Sequence, residues 1–262
     1  MKFGRESGIL LHPTSLPSKF GIGELGSEAY GFADFLARSR QKLWQILPLG
    51  PVGYGESPYQ CFSAFAGNTM LISIEKLIED KLLLQEDIGA LPDFDTELVE
   101  FEKVRAFKSG LFRKAFNRFE AAGAGEDYNK FLMENNYWLG EFSFFMALKE
   151  YFGGAAWNLW DKEIAFRDSK AMVYYRNKLS REIEYQNFLQ YVFFSQWMLL
   201  KEYVNKQGIR IIGDLPLFIS YDSSDAWSQS YLFELDEEGN PLKTAGVPPD
   251  YFSETGQFWG NP

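Results

Sequence analysis

Cysteine and histidine each occur only once in the 262-residue sequence, as Cys61 and His12. A lone cysteine excludes a disulfide within the chain and gives no sign of an oxidising compartment. The usual Cys/His zinc site cannot be assembled from one residue of each type, and no Ser-His-Asp triad can be argued around His12. We interpret His12 as a structural residue at the end of a strand, because no second histidine or nucleophile lies near it in sequence.

Basic charge and long apolar runs are also scarce. The chain has 26 Lys and Arg against 36 Asp and Glu, a net charge of −10. Nucleic acids and anionic membrane surfaces select clustered Lys and Arg, so neither is an expected partner. The most apolar segment, residues 188–204, is interrupted by polar side chains and predicts a buried helix rather than a membrane span. The charged start of the chain contains no signal-peptide core, and we expect a cytoplasmic location.

Aromatic residues, in contrast, make up 18% of the chain. Most large rings fill cores, but rings left at a cleft form flat apolar platforms with polar tips. Sugar rings, with apolar C–H faces and hydroxyl edges, fit such platforms.

The order of elements predicts an α/β fold. Residues 8–11 and 43–49 read as buried strands around a helix that Ser27 can cap, which is a βαβ unit of a parallel sheet. Helical periodicity follows over residues 70–84, 96–122, 127–151 and 186–207, and a third strand over 209–218. We divide the chain into a first βαβ unit with a substrate loop (1–69), a mainly helical insertion (70–207), and a third strand with an aromatic loop (208–262). Only three strands of the parallel type are predicted, whereas a closed (β/α)₈ barrel needs eight. We therefore expect the N-terminal part of a larger protein.

Candidate site residues follow the second and third strands. In the segment Tyr54-Gly-Glu-Ser-Pro-Tyr-Gln-Cys-Phe-Ser63, Tyr54, Ser57 and Tyr59 either form an ordinary turn or line the mouth of a strand-end pocket. Asp214, in Gly213-Asp-Leu-Pro216, is a catalytic acid, a hydroxyl-binding carboxylate or a satisfied structural group.

The loop of residues 245–260 is dense in rings beside carboxylates. Prolines stiffen it and glycines can act as hinges, so Asp250, Tyr251, Phe252 and Trp259 would suit a lid over a sugar chain. The alternative is that these rings simply pack the loop onto the body of the protein.

Two further patterns favour ordinary structure. Gly21-Ile-Gly-Glu-Leu-Gly26 has dinucleotide-type spacing but does not directly follow a strand, so we interpret it as a loop. Asp222-Ser-Ser-Asp225 is interpreted as a helix cap rather than a metal site, because no full calcium-loop pattern is present.

Several motifs together resemble the N-terminal portion of the 4-α-glucanotransferases (amylomaltases, or disproportionating enzymes) of glycoside hydrolase family 77. These motifs are Gly8-Ile-Leu-Leu-His-Pro-Thr-Ser-Leu-Pro17, Gly21-Ile-Gly-Glu-Leu-Gly26, Ser57-Pro-Tyr-Gln60, Phe62-Ser-Ala-Phe-Ala-Gly-Asn68, Gly213-Asp-Leu-Pro216 and Gly246-Val-Pro-Pro-Asp-Tyr-Phe-Ser-Glu-Thr-Gly-Gln257. The resemblance implies a (β/α)₈ TIM barrel, of which about three strands lie here, with a large helical insertion between the second and third strands. It implies transfer of α-1,4-glucan segments between maltooligosaccharides, without metal or organic cofactor.

The family works by a retaining double displacement with two carboxylates. By resemblance, Asp214 binds sugar hydroxyls, and Tyr59 is a donor-sugar platform with Ser57 nearby. The residues that belong to the active-site loop by resemblance are Asp250, Tyr251, Phe252 and Trp259. The family's nucleophile lies on the fourth strand in an Arg-x-Asp-His pattern, which this chain cannot contain because its only histidine is His12. We therefore expect the catalytic pair to lie beyond Pro262, and the 262 residues alone to be inactive and prone to aggregate.

Two other functions compete with this interpretation. One is a non-catalytic α-glucan-binding module that uses the aromatic loops alone. The other is a hydrolase of the same clan as the glucanotransferases, such as an α-amylase-type enzyme. The Pro-Pro-Asp-Tyr-Phe-Ser segment argues against the hydrolase. The sequence predicts neither the preferred glucan length nor the oligomeric state.

Overall fold

The computed structural model describes residues 4–262, and of Tyr54 the main chain only. Its strands are β1 (Gly8–Leu10), β2 (Leu43–Gln45), β3 (Arg210–Ile212), β4 (Gly246–Val247) and β5 (Gln257–Phe258). Its α-helices are α1 (Ser27–Arg38), α2 (Ile74–Glu79), α3 (Phe101–Ala122), α4 (Glu126–Glu134), α5 (Asn136–Tyr151), α6 (Lys162–Ala165), α7 (Ser169–Lys178), α8 (Ser180–Lys206) and α9 (Ser224–Ser228).

The chain forms two compact units, each built from three separate segments. Unit 1 comprises Met1–Leu49, Gly67–Glu134 and Phe188–Leu215. Unit 2 comprises Gly50–Ala66, Asn135–Asn187 and Pro216–Pro262.

Unit 1 contains a parallel sheet with the strand order β1-β2-β3. Ile9 pairs with Trp44 and Trp44 with Ile211, so these three side chains point to the same face. On that face the buried Trp44 ring meets the ring of Phe32 on α1, with 5.0 Å between the centroids. The opposite face carries the exposed Leu10 and Ile212. The predicted parallel βαβ arrangement is confirmed, but the strands are covered on one face only.

A buried ion pair lies inside unit 1. Lys108 on α3 places its Nζ 2.6 Å from Oε1 of Glu24, and both side chains are almost fully buried. The same Nζ donates hydrogen bonds to the carbonyl oxygens of Met70 (2.6 Å) and Ile72 (3.0 Å). The pair therefore joins the β1–α1 loop to the segment before α2.

The core of unit 2 is aromatic. Phe144 and Phe145 of α5 contact Trp227 of α9, and Trp160 contacts both Phe145 and Trp227. The indole N–H of Trp227 donates to the carbonyl of Ala165 at 3.1 Å, which satisfies the polar edge of a buried ring. The rings at the centre of this unit are therefore structural, whereas many of its other rings are exposed.

Several element boundaries differ from the sequence-based predictions. Ser27 does not cap α1, because Gly26 is the N-cap residue and the Ser27 hydroxyl donates to Oε2 of Glu75 instead. The predicted second and third strands are too long, since β2 and β3 span three residues each.

The helical segments also differ in their limits. The helix predicted over 70–84 is restricted to α2, the helix predicted over 127–151 is two helices that meet at Asn135, and α6 and α7 were not predicted. The cap interpretation of Asp222-Ser-Ser-Asp225 is confirmed, because the Ser223 hydroxyl accepts a hydrogen bond from Ala226 N at 3.1 Å. Across residues 4–262, none of the helices has the length and apolarity that crossing a bilayer requires.

Candidate functional site

The first part of the candidate site is the loop of residues 50–62 in unit 2. An antiparallel bridge between Val52 and Cys61 closes its base. The amide of Gly53 donates to the carbonyl oxygen of Gln60 at 2.8 Å, which holds the two arms together. The loop is thus a compact, internally bonded unit.

The tip of this loop carries the predicted Ser57 and Tyr59. The Ser57 hydroxyl accepts a hydrogen bond from the Tyr59 amide at 3.3 Å, so Ser57 shapes the turn. Gly55 has φ +73°, a left-handed conformation that favours glycine. The Tyr59 side chain remains 46% exposed. The side chain of the predicted Tyr54 lies outside the described part of the chain.

Below the tip, the loop is anchored by buried groups. The thiol of Cys61 is buried, and this burial raises its pKa, which leaves the thiol protonated and unreactive. The carboxylate of Asp225 accepts a hydrogen bond from the Ala64 amide at 3.1 Å. Burial also raises the pKa of Asp225. Asp225 therefore holds the main chain just after the loop.

The second part of the candidate site is the hairpin formed by β4 and β5, also in unit 2. Gly246 pairs with Phe258 and Val247 with Gln257 in antiparallel register. Gly256 has φ +74°, and a Cβ at this position would lie 2.5 Å from the carbonyl oxygen of Val247. Glycine is therefore required where the hairpin tip returns to β5.

The tip of the hairpin presents two rings to solvent. Oδ1 of Asp250 accepts hydrogen bonds from the amides of Phe252 (2.9 Å) and Ser253 (2.8 Å). Tyr251 is 95% exposed, and its ring stands perpendicular to that of Phe252 at 5.5 Å between centroids. Asp250 thus shapes the turn that holds these rings outward, and its predicted contact with a sugar stays a prediction.

Trp259 lies just after the hairpin and is partly exposed. Its indole N–H donates to Oε1 of Gln257 at 3.0 Å, and its ring meets the edge of Phe218 at 5.7 Å. These contacts fix the orientation of the indole.

Gln60 and Asn261, neither of which was predicted as a site residue, connect the two loops. Nε2 of Gln60 donates to the carbonyl oxygen of Trp259 (3.1 Å) and lies 3.4 Å from Oδ1 of Asn261. The buried amide of Asn261 donates in turn to the carbonyl oxygen of Ile219 at 2.9 Å. The only sequence signal was the position of Gln60 directly after Tyr59, which does not identify its partner.

In unit 1, His12 and Asp214 follow the carboxyl-terminal ends of the strands. His12 comes two residues after the end of β1 and Asp214 two residues after the end of β3, so both follow carboxyl ends of parallel strands. Asp214 is exposed, and its predicted role stays a prediction. Burial lowers the pKa of His12 to about 4, which keeps its imidazole neutral at pH 7.

The exposed rings and amides of unit 2 suit an uncharged ligand with apolar faces and hydroxyl edges. Within residues 4–262, no group of three or more His, Cys, Asp and Glu could hold a metal ion.

Residues 11–262 match the model of glycoside hydrolase family 77, described as 4-alpha-glucanotransferase. The chain belongs to this family.

The family relatives are similar along almost the whole chain. A 4-alpha-glucanotransferase of Synechocystis sp. is 46% identical over 98% of the chain and 52% of the relative. One of Streptococcus pneumoniae is also 46% identical, over 98% of the chain and 52% of the relative. A solved structure of Streptococcus agalactiae amylomaltase in complex with acarbose is 44% identical, with a TM-score of 0.94 over 99% of this chain and 53% of that one. The chain therefore spans about half the length of the relatives it matches.

Proposed function

We propose that this family 77 chain provides substrate-binding elements of a 4-α-glucanotransferase that moves α-1,4-glucan segments between maltooligosaccharides. The observation that carries the proposal is the pair of aromatic loops in unit 2, joined through Gln60, in a chain 46% identical to glucanotransferases. Loops whose main chain is held by internal hydrogen bonds before a ligand arrives lose little conformational freedom on binding.

Each predicted site residue has a role in this proposal. Tyr59, with Ser57 beside it, stacks on a donor sugar, and Asp214 accepts hydrogen bonds from sugar hydroxyls. The rings of Tyr251, Phe252 and Trp259 cover the bound glucan, and Asp250 maintains the turn that presents them. We keep Tyr54 as a further contact.

The reaction would be a retaining double displacement. One carboxylate attacks the anomeric carbon while a carboxylic acid protonates the departing glycosidic oxygen, which leaves a covalent glycosyl ester. The hydroxyl of an acceptor sugar then attacks the ester and loses its proton to the same acid/base group. Covering the site with rings disfavours water as the acceptor and so favours transfer over hydrolysis.

We infer that the family's nucleophile lies outside these residues, because its Arg-x-Asp-His pattern requires a histidine other than His12. We propose that residues 1–262 bind glucan but do not catalyse transfer alone.

We propose further that β1, β2 and β3 are the first strands of a (β/α)₈ barrel. Their sequential parallel order supports this proposal, as does the exposed face carrying Leu10 and Ile212, which such a barrel would enclose. The division into residues 1–69, 70–207 and 208–262 belongs to the same proposal. A cytoplasmic location stays a prediction.

Calorimetric titration with acarbose tests the binding role. Tyr59→Ala and Tyr251→Ala should each weaken binding about tenfold, as expected for loss of one stacked ring. Tyr231→Ala removes another exposed tyrosine of unit 2, outside both loops, and should leave the affinity unchanged. If all three variants bound acarbose as tightly as the unaltered chain, the two loops would not be the sugar-binding elements.

Product analysis after incubation with maltotriose tests the catalytic part. The chain alone should leave maltotriose unchanged, and redistribution of chain lengths would refute the absence of the bond-breaking groups. A longer protein containing this sequence should redistribute maltotriose, whereas glucan binding without redistribution would favour the non-catalytic module.

A further inference from the structure

Phe65 and Tyr137 form an exposed aromatic pair in unit 2, separate from the rings assigned above. Their centroids are 5.6 Å apart and their planes are perpendicular, at 87°. Phe65 is 46% exposed and Tyr137 is 71% exposed. Tyr137 lies in the first turn of α5, whose core face is occupied by other side chains.

The orientation of the Phe65 ring is fixed by hydrogen bonds of its main chain and by a second ring stacked against it. The buried Ser63 hydroxyl accepts hydrogen bonds from the amides of Phe65 (3.1 Å) and Ala66 (3.3 Å). The ring stacks on that of Trp138 with an interplanar angle of 19° and 6.4 Å between centroids. The indole N–H of Trp138 donates to Oδ1 of Asn135 at 3.1 Å. Binding on Phe65 therefore costs little ordering.

The surroundings of the pair fit a carbohydrate. Tyr137 adds a hydroxyl to the apolar surface, and the neighbouring Asn136 carries an exposed amide. Rings combined with a hydroxyl and an amide match the apolar faces and hydroxyl edges of sugars.

Phe65 follows Tyr59 by six residues, so their Cα atoms lie at most about 22 Å apart, a span that an oligosaccharide of several units covers. We propose that Phe65 and Tyr137 form an accessory binding surface for α-1,4-glucan, which holds sugar units of a long chain beyond those at Tyr59. This inference rests on the proposed function and extends it to a preference for longer glucans.

The test compares maltoheptaose with maltotriose in calorimetric titrations of the 262-residue chain. The unaltered chain should bind maltoheptaose more tightly than maltotriose. Phe65→Ala and Tyr137→Ala should each weaken maltoheptaose binding about five- to tenfold and leave maltotriose binding unchanged. Phe65→Tyr and Tyr137→Phe keep the rings and should retain most of the affinity, which separates loss of stacking from loss of folding.

Two further variants complete the design. Tyr174→Ala removes another exposed tyrosine of unit 2 and should alter neither titration. Tyr59→Ala should weaken both ligands if the proposed function is right. If Tyr59→Ala alters neither ligand while Phe65→Ala still weakens maltoheptaose, the proposed role of Tyr59 fails and the accessory surface stands.

The inference is overturned if the chain binds maltoheptaose no more tightly than maltotriose. It is also overturned if Phe65→Ala and Tyr137→Ala leave maltoheptaose binding unchanged, or if they weaken both sugars equally.

Discussion

Replacing Lys108 with methionine should destabilise the protein strongly, because this side chain serves three partners inside unit 1. Only 1% of it is exposed, and its Nζ lies 2.6 Å from the carboxylate of Glu24. It also donates to the carbonyl oxygens of Met70 and Ile72. Methionine keeps most of the apolar stem but removes the charge and every donor.

The expected loss of stability follows from the groups that Lys108→Met leaves buried without a partner. Removing one member of a buried ion pair costs about 3–5 kcal/mol, because the other charge stays buried without a partner. The two carbonyls also lose their donor, at about 1 kcal/mol each, and the retained stem offsets little of this. These losses sum to about 5–7 kcal/mol, which corresponds to a fall in Tm of roughly 10–28 °C for a chain of this size.

Urea unfolding and thermal melting, both followed by circular dichroism, measure this loss. The matched control is Lys103→Met, on the same helix α3. Lys103 pairs with Glu100 at 2.8 Å and donates to the carbonyl oxygen of Asp93, but its side chain is well exposed, so this variant should lose much less stability than Lys108→Met.

The pH dependence provides an independent check. Burial raises the pKa of Glu24 above 4.5, and Lys108 opposes that rise. Without Lys108 the pKa rises further, so the folded variant tolerates a protonated Glu24 at low pH and loses stability as the pH rises through the folded value. The deficit of Lys108→Met should therefore be smaller at pH 5 than at pH 8. A loss below about 1 kcal/mol at pH 8, or an equal loss at both pH values, would refute the reasoning.

Three other variants test separate parts of the structure. Gly256→Ala should speed proteolysis of the β4–β5 hairpin, because the added Cβ would meet the carbonyl of Val247; an unchanged rate would contradict that geometry. Lys149→Met should lower the free energy of unfolding by about 1–3 kcal/mol in urea titrations, since Nζ of Lys149, itself buried, lies 2.6 Å from Oδ2 of Asp222; no loss would show that the contact is dispensable. The imidazole of His12 should titrate near pH 4 by NMR, and its lowered pKa should reduce stability as the pH falls from about 6.5 towards 4, a dependence that His12→Asn removes.

Much of the fold is encoded locally and could be predicted. The apolar run at residues 8–11 became β1, and the helical spacing of Ala29, Ala33 and Leu36 became the buried side of α1. The break between α4 and α5 at Asn135 could not be predicted, because helical periodicity continues through it. Likewise, nothing local ends β2 at Gln45, since strand length depends on pairing with a partner strand.

The same distinction between local and distant contacts applies to the candidate site. The turn that presents Tyr251 depends on Asp250 bonding amides two and three residues away, a local motif that its sequence could have shown. The contact between Gln60 and Asn261 spans 201 residues, and neither side chain carries a sign of its partner. The residue types therefore predict which ligand the loops would bind, whereas the amides that hold the two loops together emerge only from tertiary structure.

The amide of Gln60 holds Trp259 from outside its own loop. Gln60→Leu should therefore release Trp259 without altering the tip at Tyr251. Amide hydrogen exchange should consequently accelerate around residue 259 and stay unchanged at residues 252 and 253, and equal acceleration at both would show that the hairpin responds as one piece.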